Sequence, residues 1–284
     1  MTGTQIVLLV FGTVTAFAVG SFLCVVIDRL PLALNEPNEY GDLYDTRPWN
    51  EVLGGHSRCD ECGEPIRAID KIPVLSWILL RGRCRGCSER IPAFHPVVEL
   101  LTPALFLAAV WAIGWDWRLL PVLGLIPAGI AVSVIDIRTM IVPTRVVWPA
   151  FGAVVALSVV TAAIEGEWSW LLAAATGLAA LAGPLFVLWF FLPSGMGFGD
   201  VRLAVLLGWT IGFYAGTRPV AAVLLAVITL FFAAVIGLVM GIAVMGARGR
   251  KAKVPFGPAL VMAAFLSIAL AEPILDSFGV WALS

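Results

Sequence analysis

The chain is 284 residues long, 60 % hydrophobic and only 13 % charged, with a net charge of −1. Soluble domains carry about 25 % charged residues, so the composition excludes an ordinary soluble protein and leaves the membrane class. The net charge says nothing about partners; the placement of the charges does.

From the N-terminus, Met1–Gln5 holds no basic residue, and the run Ile6–Ile27 is long enough to cross a bilayer, which takes ~20 apolar residues. Without a positive leading region it reads as a first membrane helix rather than a secretory signal, despite Ala16-Phe17-Ala18. Residues 28–96 form the single hydrophilic insert. It is too short and too poor in apolar periodicity for a large core, and modules of this size usually need a metal or disulfides. Seven further apolar runs follow, at about 97–114, 119–136, 146–164, 168–192, 202–216, 219–246 and 256–281. The run at 202–216 is the shortest and carries Gly208, Gly212 and Gly216, small residues whose spacing lets helices approach closely in lipid.

The basic residues orient this arrangement. With the N-terminus outside, the segments 28–96, 137–145, 193–202 and 247–255 face the cytoplasm and contain 16 of the 18 Lys and Arg residues, leaving Arg118 and Arg218 outside. That is the positive-inside pattern. Trp111, Trp115, Trp117, Trp168 and Trp170 then cluster at the outer interface, as aromatic belts do. Arg248-Gly-Arg-Lys-Ala-Lys253 reads as a basic cytoplasmic loop near anionic headgroups, not as a nucleic-acid site.

Within the insert, Cys59-Asp-Glu-Cys62 and Cys84-Arg-Gly-Cys87 are two CxxC knuckles separated by 21 residues, roughly the spacing of a structural zinc site with four thiolate ligands. Gly63 and Gly86 suit tight turns around a metal. The alternatives are two disulfides or four unrelated thiols, and the reducing cytoplasm disfavours disulfides. The predicted fold class is therefore all-α: a polytopic membrane protein of about eight transmembrane helices with a small cytoplasmic zinc-binding insert. Its expected divisions are a first helix at 1–27, the zinc-knuckle insert at 28–96 and a membrane catalytic domain at 97–284.

Two aspartates sit where a membrane protein should not tolerate them. Asp136 closes the apolar run Leu119–Ile135, and Asp200 closes Pro193-Ser-Gly-Met-Gly-Phe-Gly-Asp200. Acids at membrane helix ends mark functional sites. The topology puts both at the cytoplasmic end. If they meet, they share a proton, and one can act as a base on water while the other polarises a carbonyl. Gly195, Gly197 and Gly199 would let the backbone leave the helix or approach a substrate. The alternative is that each aspartate caps a helix or pairs with Arg138 or Arg202. Glu99, just inside the second span, is a further candidate for site support, with a solvated interfacial acid as its alternative. Asp28-Arg29 reads as an interfacial ion pair. His56 and His95 show no spacing that suggests a site.

Taken in order, these motifs resemble one family, the bacterial type IV prepilin peptidases, which are membrane aspartic proteases of the GxGD type. The resemblance runs through Gly20-Ser-Phe-Leu-Cys-Val-Val-Ile-Asp-Arg-Leu-Pro31, Ile72-Pro-Val-Leu-Ser-Trp77, Leu80-Arg-Gly-Arg-Cys84-Arg-Gly-Cys87, His95-Pro-Val-Val-Glu-Leu-Leu101, Ile135-Asp136, Gly197-Phe-Gly-Asp200 and Pro255-Phe-Gly-Pro258. It implies a bacterial inner-membrane endopeptidase that cuts the basic leader of prepilins and pseudopilins after a glycine, at the cytoplasmic face. Many members then N-methylate the new N-terminus with S-adenosylmethionine. By matching motif, Asp136 and Asp200 are the catalytic acids, and Cys59, Cys62, Cys84 and Cys87 ligate structural zinc.

The chain departs from the pattern in two places. Members often read Ile-Pro-Asp after the first catalytic motif, where this chain has Val142-Pro143-Thr144, which loosens what can be said of local geometry. The stretch Leu34–Trp49 is rich in acids (Glu36, Glu39, Asp42, Asp45) and reads as a surface loop. No glycine-rich nucleotide motif is visible, so the residues that would bind the methyl donor cannot be named from the sequence. The rival reading is an ion-coupled transporter using Asp136 and Asp200 as a proton relay; its broken, repeated helices are not found.

Overall fold

The computed structural model describes residues 2–32, 48–193, 196–249 and 254–278. The acidic stretch with Glu36, Glu39, Asp42 and Asp45, together with Gly195, Arg250, Lys251 and Lys253, lies outside them. Among the described residues the regular elements are helices, with two isolated β-bridges and no strand. Among the same described residues, six helices are long and apolar enough to span a membrane, or seven if a pair bent by 68° counts as one span. The chain is a multi-pass membrane protein, and it divides into two compact units, residues 1–108 and 109–284.

In the first unit, α1 (Gly3–Leu32) is an apolar rod. It is followed by the short α2 (Trp49–Leu53), a 3-10 turn (Ala68–Lys71), α3 (Leu75–Leu79) and the start of α4 (Phe94–Ile113). Gly20 lets α1 meet α4: a Cβ there would lie 3.0 Å from the Glu99 Cα and from the Thr102 Oγ1. Beside it, the buried Cys24 thiol approaches the Gly20 and His95 carbonyl oxygens at 3.4 and 3.6 Å.

In the second unit, α5 (Leu119–Thr139), α6 (Thr144–Glu165), α7 (Ser169–Phe191) and α9 (Pro219–Arg248) are long apolar helices. They surround α8 (Phe198–Tyr214), and α10 (Gly257–Ala269) also packs on it. At 17 residues α8 is about 25 Å long, short of a ~30 Å hydrocarbon core, which is why it falls outside the six. Its surroundings compensate. Leu203, Leu206, Leu207 and Ile211 are fully buried, so it is apolar all round, as an enclosed helix must be.

Small residues bring α7 against α8. A Cβ at Gly177 would fall 2.6 Å from the Gly208 carbonyl oxygen, and one at Gly212 would fall 2.3 Å from the Ala173 carbonyl oxygen. The close approach expected of Gly208 and Gly212 is present. Gly216 serves another purpose: it follows the helix at φ +76°, a left-handed turn that favours glycine. The run 256–281 is broken into α10 and α11 (Ala271–Ser277), which account for the bent pair.

Candidate active site

Asp136 and Asp200 are set at one end of the second unit by the ends of two helices. Asp136 occupies the last turn of α5, which stops at Met140 in a left-handed conformation with its N–H donated to the Asp136 backbone carbonyl. Asp200 occupies the first turn of α8, whose N-terminal cap is Gly197. Both side chains are buried, at 4 % and 8 % exposure. They are close enough that the charge of Asp136 acts on Asp200. A buried carboxylate is costly unless it is hydrogen-bonded or shares its proton.

A third element completes the arrangement. The backbone N–H of Gly257, the first residue of α10, donates to Asp136 Oδ2 at 3.0 Å. A Cβ at Gly257 would lie 2.8 Å from that oxygen, so glycine alone allows the approach. Reading Pro255-Phe-Gly-Pro258 as a turn does not reveal this contact, which spans 121 positions. A Cβ at Gly197 would be 3.8 Å from Asp200 Oδ2, in ordinary contact, whereas one at Gly199 would be 2.7 Å from Val142 Cβ. Gly199 therefore admits the α5–α6 connection against α8.

Arg202, a candidate partner for the acids, turns elsewhere. Its Nη1 donates to Thr144 Oγ1, and its guanidinium lies 4.7 Å over the Phe198 ring. Thr144, the position where the sequence departs from the resembled pattern, is thus an acceptor for Arg202.

The four cysteines of the first unit also come together. Their sulfurs all lie within 4.8 Å of one another, with Cys59–Cys87 at 3.7 Å and Cys62–Cys84 at 4.0 Å, and all are free thiols. Ligands at ~2.3 Å around a tetrahedral ion are about 3.8 Å apart, so the donor set fits a thiolate metal centre. Backbone N–H groups of Cys87 and Gly86 draw the Cys84 thiol down to about 7. The Glu89 backbone N–H favours the Cys87 thiolate, but desolvation and the three neighbouring thiols outweigh it and push Cys87 up to about 12. Four crowded thiols cannot all ionise alone; a cation would let them. Each knuckle closes on a small turn, with Gly63 N–H on the Cys59 carbonyl and Ser88 N–H on the Cys84 carbonyl. The left-handed residue is Gly63 in the first knuckle but Ser88 in the second; Gly86 instead makes room for the Glu64 carboxylate. Asp70 braces the second knuckle by binding Arg85 at 2.6 and 3.0 Å, and that guanidinium holds its carboxyl below the usual carboxylate range.

Glu99 belongs to the first unit. It is 9 % exposed, and Oε2 accepts the Val74 N–H at 2.7 Å. Val74 caps α3 at φ +63°, an unusual conformation for a β-branched residue. The carboxylate thus anchors a strained turn of the insert. His95, which showed no partner in the sequence, meets Asp28 at 3.1 Å, while Arg29 donates to the Gly54 carbonyl at 2.6 Å. The available signal was topological: Asp28 near the end of α1 and His95 at the start of α4 share one membrane edge.

Comparison with known proteins follows the same two units. Residues 14–113 match the bacterial peptidase A24 N-terminal domain, and residues 123–242 match the type IV leader peptidase family. A prepilin leader peptidase/N-methyltransferase of Aeromonas hydrophila is 33 % identical over 282 residues, covering 92 % of this chain and 90 % of that protein. The chain belongs to the type IV leader peptidase family. Leader peptidases of the same description from Neisseria gonorrhoeae and Burkholderia pseudomallei are 32 % and 34 % identical, over 95 % and 91 % of this chain and 93 % and 83 % of theirs. No solved structure matches. Asp136, Asp200 and Thr144 fall inside the leader peptidase match, and the four cysteines, Glu99 and His95 fall inside the N-terminal match.

Proposed function

We propose that this protein is a membrane aspartic endopeptidase that removes the leader of type IV prepilins or pseudopilins after a glycine, and that it also N-methylates the new N-terminus. What supports the reading is that two buried carboxylates, at the end of α5 and the start of α8, lie near enough for the charge of one to act on the other, in a chain so similar to prepilin leader peptidase/N-methyltransferases.

The chemistry follows from the pair. Two adjacent carboxyl groups share one proton. The ionised member takes a proton from water, and the oxygen attacks the scissile carbonyl carbon. The protonated member gives its proton to the carbonyl oxygen. Collapse of the tetrahedral intermediate breaks the C–N bond: the departing nitrogen takes up the proton first removed from water, and one hydroxyl of the intermediate returns its proton to the carboxylate that had given one up, restoring the pair. The Gly257 N–H on Asp136 Oδ2 keeps that carboxylate from turning away. The substrate is a precursor with a basic leader in the cytoplasm and an apolar helix in the bilayer. Its scissile bond lies at the interface, where both acids sit in a topology with the N-terminus outside and the insert inside. Methyl transfer consumes S-adenosylmethionine and is assigned to no particular residue. Cys59, Cys62, Cys84 and Cys87 would hold zinc, which ties the two knuckles of the insert together.

The test is incubation of the purified chain in lipid nanodiscs with a membrane-anchored precursor of this design, read by mass spectrometry. One cut after the glycine is expected. An uncut precursor, or cuts scattered elsewhere, would refute the reading.

A further inference from the structure

The α5–α6 connection and the start of α8 are held together by a chain of contacts that uses neither aspartate. Arg202 lies two residues after Asp200, about 200° round the helix, so the two side chains leave α8 on different faces. Arg202 Nη1 donates to the hydroxyl of Thr144, the first residue of α6. One turn back along α8, the Phe198 ring lies beneath the guanidinium at 4.7 Å, and its other neighbour is Trp189 of α7 at 4.6 Å between ring centroids. Trp189 in turn packs against the main core. Three residues before Arg202, and so on a neighbouring part of the same helix face, Gly199 admits Val142 with no room for a Cβ.

Only residues 140–143 separate α5 from α6. Met140 is tied back to the carbonyl of Asp136, and Pro143 precedes Thr144 with φ fixed at −74°. Such a short, stiff connection cannot absorb a shift. Displacing Thr144 relative to α8 carries the last turn of α5, and Asp136 with it, away from Asp200.

We infer that Thr144 and Arg202, backed by Phe198, form a latch that sets the separation of Asp136 and Asp200, making Thr144 and Arg202 positioning residues of the cleavage site. The inference rests on reading the two aspartates as the catalytic pair. Arginine can only donate, so residue 144 must accept. A charge-assisted bond of this kind is stronger than a neutral one. Valine matches threonine in shape but removes the acceptor; serine keeps the acceptor and removes the methyl.

The experiment measures kcat and KM for cleavage of the membrane-anchored precursor by the full chain in nanodiscs. A misplacement of ~1 Å can cost about 100-fold in rate. Thr144→Val is expected to lower kcat by ~10- to 100-fold with KM within about threefold of wild type, and Thr144→Ser to stay within about threefold in both. Arg202→Met should match the loss seen in Thr144→Val. The double variant should lose no more than the worse single variant, because both remove one bond. A wild-type kcat in Thr144→Val, an equal loss in Thr144→Ser, a change confined to KM, or additive losses in the double variant would each overturn the latch. Asp136→Asn, measured alongside, keeps the two questions apart. If it still cleaves, the catalytic reading itself fails; if it is inactive while Thr144→Val is unimpaired, the latch alone fails.

Discussion

Asp136 and Asp200 stand out in the sequence because each ends a long apolar run, and the cost of a carboxylate there is a property of the residue itself. Gly257 does not stand out. Its contribution is a backbone N–H delivered across 121 positions, and no side-chain pattern encodes that. The same holds for Ser88, whose left-handed conformation in the second knuckle falls on the residue after Cys87 and not on the neighbouring glycine, Gly86. Thr144 reads as a loss of an acid in the sequence and as an acceptor for Arg202 in the structure. Gly257→Ala tests the residue-scale account. The new Cβ would sit 2.8 Å from Asp136 Oδ2 and force the carboxylate aside. Leader cleavage is expected to fall by ~10- to 100-fold in kcat, with the thermal midpoint within a few degrees of wild type. An unchanged kcat would mean that Asp136 does not need that approach.

At the scale of elements, helix existence was legible because long apolar runs demand helices, while helix ends and helix contacts were not. The 17-residue α8 reads as a short span, yet what makes it central is enclosure by α5, α6, α7, α9 and α10, a tertiary fact. Glycine spacing in α8 did signal close packing, but not that the facing residue on α7 would be Gly177. Gly177→Val would press against the α8 backbone and is expected to destabilise the protein by about 1–3 kcal/mol, seen as a lowered thermal midpoint in detergent; an unchanged midpoint would show that the helices can part freely. At the other end of the bundle, Arg118 binds Asp116 at 2.9 Å and lies over the Trp170 and Tyr214 rings at 5.8 and 5.4 Å. Partial burial raises the Asp116 pKa, but the Arg118 guanidinium and backbone N–H outweigh it and hold the carboxyl below the usual range. A lowered folded pKa means that the contribution is complete above the unfolded value of about 3.9 and is lost as pH falls through the folded one. Asp116→Asn should therefore cost stability at pH 7, by no more than about 1 kcal/mol for a pair still partly open to solvent. The gap to wild type should close as pH drops below about 4. A gap that persists in acid would exclude this ion pair as its source.

At the scale of the whole molecule, the sequence and the structure agree on an all-helical, multi-pass protein with a four-cysteine cluster, because composition and CxxC spacing are global signals that survive without coordinates. The division of labour between the two units is the larger question. The proposed catalytic pair lies in the second unit, and the cysteine cluster lies in the first. Stripping metal with a chelator, or replacing Cys62 by Ser, is expected to loosen the insert and depress methylation more than leader cleavage, measured on uncleaved and pre-cleaved precursor by the same preparation. Equal loss of both activities by intact protein would contradict that separation. The central claim is tested most directly by the rate of leader cleavage in Asp136→Asn and Asp200→Asn, with wild-type folding verified by thermal unfolding. Asparagine keeps the shape and removes the shared proton, so both variants are expected to lose cleavage by at least ~100-fold. A folded variant of either kind that cuts the leader at close to the wild-type rate would contradict it.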